Sequence, residues 1–118
     1  LNRNLYFYNM NDKKIISRIK EAIKNEDSNA QVILFGSRAR NEEKIDSDWD
    51  ILVLLSKSIV NIQDEQKIRH KLYDIELDTG ETLSTFVYSV DDWNTRLSVT
   101  PLYDNIKREG IYLWAIFN

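Results

Sequence analysis

Apolar residues along the chain alternate between helical and strand-like spacing. From Asp12 to about Glu26, Ile15, Ile16, Ile19, Ala22 and Ile23 recur at helical intervals, with Lys13, Lys20 and Lys24 between them. This predicts an amphipathic helix with one buried stripe. Gln31 to Phe35 is a β-branched and aromatic run that stops at Gly36, and reads as a strand. Ile51 to Leu55 is continuously apolar, as expected of a strand covered on both faces. Gln63 to Leu77 is helical again, with Ile68, Leu72 and Ile75 on one side and a turn at Asp78-Thr79-Gly80. Thr82 to Ser89 reads as the third strand. Asp91 and Asp92 open a short helix carrying Trp93 and Leu97, and Thr100-Pro101 reads as the cap and first residue of another. That helix is expected to run to Glu109 and stop at Gly110, leaving Ile111 to Trp114 as an edge strand or packed tail. The order α-β-turn-β-α-β-α-α-β predicts an α/β (α+β) domain, a small mixed sheet with helices packed on it.

Composition narrows the chemistry. The 118 residues suit one domain, and 42% hydrophobic content is enough for an independent core. Residues 1–10 are expected to be an N-terminal extension, added in cloning or read from an upstream start, and residues 11–118 the domain. The absence of cysteine excludes disulfides, thiolate metal sites and a cysteine nucleophile. A single histidine, His70, excludes a multi-histidine zinc site within the chain, and its neighbours Arg69 and Lys71 place it on a solvated face. No apolar run approaches a membrane span. The net charge of −3 argues against nucleic acid held by general phosphate neutralisation. A soluble, cytoplasmic protein is expected.

The informative segment is LFGSRARNEEKIDSDWDILVLL, Leu34 to Leu55. A strand ends in Gly36-Ser37, ten residues intervene, and Asp48-Trp49-Asp50 leads into the next strand. Side chains two apart on a strand share a face, so Asp48 and Asp50 present two carboxylates together, with Trp49 packed on the opposite face. Such a pair repels itself unless a cation lies between, and its hard oxygens suit Mg²⁺, which completes its shell with water and substrate phosphate. Gly36 permits a sharp bend and close approach of a ligand. Ser37 is expected to cap a short helix over Ser37-Arg38-Ala39-Arg40, its amides turned to an anion and Arg38 or Arg40 neutralising phosphate. The spacing is not that of a Walker loop.

Set between two strands after an N-terminal helix, GS-x10-DxD resembles the minimal nucleotidyltransferases of the DNA polymerase beta-like superfamily. The closing Trp93…Pro101-Leu102-Tyr103…Ile106-Lys107-Arg108-Glu109-Gly110-Ile111-Tyr112-Leu113 is similar to the last helix and tail of those proteins, so the resemblance runs from about Lys13 to Leu113. It implies a polymerase beta-like palm fold, triphosphate contacts from Gly36 and Ser37, and Mg²⁺ or Mn²⁺ on Asp48 and Asp50. The implied reaction moves NMP, AMP from ATP in the first instance, to a hydroxyl of a protein or small molecule and releases pyrophosphate. Implied partners are a nucleoside triphosphate and an all-helical HEPN-type protein, as for antitoxins that nucleotidylate a partner's tyrosine; a homo-oligomer is left open.

One position departs from that family. Its members carry a third carboxylate on the next strand, and matching through Tyr88 and Asp91-Asp92-Trp93 puts Ser84 there. A serine hydroxyl is a poor metal ligand and a poor base, and Glu81 at the strand's start is a weak substitute. The alternative implied is a catalytically weak or silent nucleotide-binding, antitoxin-like module acting on its helical partner.

Overall fold

A computed structural model describes residues 9–115. Helix α1 (Met10–Glu26) is followed by β1 (Gln31–Phe35), β2 (Trp49–Leu55), α2 (Ile62–Thr79) and β3 (Leu83–Ser89). A short α3 (Val90–Asn94), then α4 (Pro101–Glu109), β4 (Ile111–Tyr112) and a 3-10 turn at Leu113–Ala115 complete the chain. The four strands form one mixed sheet in the order β3-β2-β1-β4. β1 is antiparallel to β2 and β4, and β2 is parallel to β3 through the α2 crossover. The α/β expectation therefore holds.

The periodicities place their side chains as read. Ile51 to Leu55 are all buried, because both faces of β2 are covered. On one face Val32, Leu34, Ile51, Val53 and Leu55 meet Ile16, Ile19 and Ile23 of α1 and Ile68, Leu72 and Ile75 of α2. On the other, Ile33, Leu52 and Leu54 meet Trp93 of α3 and Ile106 of α4. Two apolar faces lock the strand register, since a one-residue slip would exchange every side chain between them.

Boundaries differ where caps decide them. α1 begins at Met10, earlier than the apolar pattern shows, because the Asn9 side chain accepts from the Asp12 N–H while Asp12 accepts from the Asn9 N–H. Asn9 and Met10 thus belong to the domain, and the rest of the expected extension, residues 1–8, lies outside the described residues, as do residues 116–118. β2 begins two residues earlier than read, at Trp49, so Asp50 is a strand residue. The helix opened by Asp91 and Asp92 stops at Asn94, leaving Leu97 in the turn beyond it. Thr100 caps α4 through the Tyr103 N–H, with Pro101 first in the helix. Among the described residues no helix is long and apolar enough to cross a membrane.

Gly110 ends α4 in extended backbone. Its role is space: a Cβ there would sit 2.7 Å from Ile33 Cγ2 on β1. Close packing at this point brings the C-terminal end of α4, and with it Glu109, against the sheet. Gly110→Ala is expected to cost about 1–3 kcal/mol by overpacking, read by urea melts; a cost near zero would show that the α4–β1 contact yields.

Candidate active site

The site forms at the edge where β1 leaves the sheet and β2 and β3 enter it. Phe35, the last residue of β1, pairs with Asp50, and Asp50 pairs in turn with Ser84 on β3. Asp50 alternates with buried Trp49 and Ile51, so it faces the α3–α4 side with Leu52 and Leu54. Gly36 follows directly, at φ +75°, a conformation that favours glycine. A Cβ built on it would overlap the Asp50 carboxylate, whose Cγ lies 3.0 Å away. The bend and the carboxylate are thus in direct apposition.

Electrostatics agree with this crowding. Burial pushes the Asp50 carboxyl above its ordinary range, the Asp48 charge adds to the rise, Arg40 opposes it, and Glu109 adds to it. Asp48 is exposed and Asp50 half-buried. Two mutually repelling carboxylates at a half-open edge suit a hard divalent cation. Among the described residues no cluster of three metal-capable side chains occurs, so water and a substrate oxygen would have to fill the remaining positions.

The bend itself is built of turns. The N–H groups of Ala39 and Arg40 both donate to Gly36 O, and Glu42 N–H donates to Ser37 O. The short helix expected over residues 37–40 is therefore absent, and Ser37, half-buried, caps nothing there. With no helix there is no dipole to invoke, and any anion affinity rests on local amides and on Arg40.

The two arginines part company. Arg40 stays on the Asp50 side, donating from Nε to Glu42 and from Nη1 to Glu109, each at 2.8 Å. Arg38 turns to the opposite face, contrary to the phosphate role expected for it. Its side chain is buried, its Nε and Nη2 donate to Ser47 O at 3.2 and 2.8 Å, and it lies 4.3 Å from the Trp49 ring centroid. Asp12 and Glu81 pair with it at 3.8 Å. The side chain expected to neutralise phosphate instead ties the 36–48 connection to α1 and to the β3 entry. Glu81 is engaged there too, which removes it as a stand-in for a third carboxylate. Ser84 stands beside Asp50 in the β2–β3 register. Glu109 is the residue that sequence reasoning missed: its Oε2 accepts from Gly36 N–H at 2.8 Å as well as from Arg40. His70 is exposed, and Trp49 is fully buried.

Comparison with known proteins now adds to the geometry. Residues 17–115 match the family described as Polymerase beta, Nucleotidyltransferase. The chain belongs to that family. A chain from a solved structure described as "Crystal structure of the toxin-antitoxin with AMP-PNP" superposes with a TM-score of 0.58 at 20% identity, over 84% of this chain and 72% of that one. That likeness establishes the shared fold. No curated protein matches the chain.

Two outcomes follow. Arg38→Ala should lower stability by about 3 kcal/mol, with little recovery in Arg38→Lys, because an ammonium reproduces neither the forked bond to Ser47 nor the flat contact with Trp49. Asp50→Asn should raise the melting midpoint at pH 7, on the order of a few degrees. The native state favours protonated Asp50, so this group's contribution to stability falls as pH rises from the ordinary aspartate range through its raised value. The gain in Asp50→Asn should accordingly shrink on acidification, and Mg²⁺ should raise the midpoint of the unsubstituted protein more than that of the variant.

Proposed function

We propose that this chain is a metal-dependent nucleotidyltransferase that moves AMP from ATP to a hydroxyl of a protein or small-molecule acceptor. The observation that carries the reading is the Gly36 bend pressed against Asp50, with Asp48, Ser37 and Arg40 at the same edge. Asp48 and Asp50 would hold Mg²⁺ or Mn²⁺, which when bound offsets their repulsion and the charge developing on the phosphates. Gly36 lets the phosphates come close to the backbone, and Ser37 offers a hydroxyl and an amide. Arg40 supplies a cation for the terminal phosphates. The acceptor oxygen bonds to the α-phosphorus as the bond to the pyrophosphate oxygen breaks, and pyrophosphate leaves. Ser84 is too weak a base to take the acceptor's proton near neutral pH, so that proton passes to water or to a group brought by the acceptor.

A helical HEPN-type protein is the acceptor we favour. The fold shared with a chain from a toxin–antitoxin structure containing AMP-PNP supports nucleotide binding and a protein partner; its helical, HEPN-type character rests on the sequence resemblance. The register of Ser84 with Asp50 favours a second reading: a silent nucleotide-binding module that works by occupying the same partner.

Incubation with α-labelled ATP, Mg²⁺ and the helical partner separates the readings. Label should move to the acceptor, and Asp48→Asn or Asp50→Asn should each lower transfer on the order of a hundredfold or more. Ser84→Asp should raise the rate at least about tenfold by supplying a base. Label transfer that survives both asparagine substitutions contradicts the site. ATP binding without transfer, in Ser84→Asp also, supports the silent module.

A further inference from the structure

A carboxylate from the far end of the chain is already bonded to the groups that the proposed reading assigns to phosphate. Oε2 of Glu109 accepts from both Gly36 N–H and Arg40 Nη1. Glu109 is the last residue of α4, held against the sheet by the close packing at Gly110. Its side chain is 21% exposed, whereas Glu42, the other partner of Arg40, is 64% exposed. The two carboxylates therefore differ in kind. Glu109 is anchored in the fold and bonded to backbone as well as guanidinium; the Glu42 carboxylate sits on the open 41–48 loop and, among the described residues, accepts from the guanidinium without a backbone donor.

We propose that Glu109 is a positioning residue for the nucleotide's phosphates, and that Glu42 is the counter-ion Arg40 releases when a phosphate arrives. The inference rests on the nucleotide-binding reading above. An arginine with two carboxylate partners has little attraction left for a third anion, so one partner must leave. The exposed pair loses least on separation, since solvent replaces most of what Glu42 provides. Glu109 stays, keeping the bend at Gly36 fixed and the guanidinium at the site edge. A metal-ligand role for Glu109 fits less well, because the same oxygen already serves two donors and no three-carboxylate cluster occurs among the described residues.

The test compares Glu109→Ala, Glu109→Gln and Glu42→Gln by calorimetric titration with Mg²⁺ and ATP, and by NMR titration with AMP, which lacks the outer phosphates. Glu109→Ala should weaken ATP binding by about tenfold or more and leave AMP binding within about twofold. Glu109→Gln keeps an oxygen for the Gly36 N–H and should fall between, while Glu42→Gln should bind ATP more tightly. Unchanged ATP affinity in folded Glu109→Ala and Glu109→Gln overturns the proposal, as does equal weakening of ATP and AMP. Hydrogen exchange of the Gly36 amide reads the clamp without nucleotide: Glu109→Ala should lose its protection, and retention contradicts the clamp. If the unsubstituted protein takes no ATP, the nucleotide reading fails on its own terms, whatever the amide shows.

Discussion

The pairing of Phe35 with Asp50 is the constraint on which the site depends. It puts the residue after β1 directly over a carboxylate, and only a hydrogen fits there, so Gly36 takes a positive φ and the chain turns away. The register that makes this contact is fixed by the core, through the two buried faces of β2. Hydrophobic packing thus brings an amide-bearing bend and a carboxylate pair together, against the mutual repulsion of the two carboxylates. Asp50 is held where burial and like charges oppose its ionisation. That imbalance is what the proposed cation and phosphates would relieve.

The sheet's faces divide the labour. On the α1–α2 face Arg38 is enclosed by Trp49, Asp12, Glu81 and the Ser47 carbonyl, and spans α1, the 36–48 connection and the β3 entry. On the α3–α4 face Asp50, Arg40 and Glu109 meet. From the same face an aromatic series runs from Phe35 through Phe86, Tyr88 and Trp93 to Tyr103, with successive ring centroids 5.1–6.3 Å apart. It joins the strands to α3 and α4, so the helix that delivers Glu109 is held by the tilted Trp93–Tyr103 ring contact as well as by aliphatic contacts.

Most of the strands and helices were legible because their apolar periods are clean and their caps conventional. Of the site, spacing brought the Gly36-Ser37 bend and the Asp48 and Asp50 pair forward as candidates, and matching to the resembled family did the same for Ser84. Arg38 and Arg40 could not be told apart. Both follow Gly36 within four residues, and the turns that return Ala39 and Arg40 to the Gly36 carbonyl decide which face each side chain takes. Nor did any local pattern disclose Glu109. Its partner Gly36 lies 73 residues earlier, and only the α4–β1 packing brings them together. A glutamate before a terminating glycine reads as an ordinary helix end.

The central claim is that one cation is shared by Asp48 and Asp50 in front of the Gly36-Ser37 bend. Anomalous diffraction from crystals grown with Mn²⁺ and a non-hydrolysable ATP analogue examines it directly. The account predicts a manganese peak bridging both carboxylates, with a phosphate oxygen in its shell and the triphosphate against Ser37 and Arg40. Manganese bound elsewhere, or a triphosphate lying away from that bend, would contradict it.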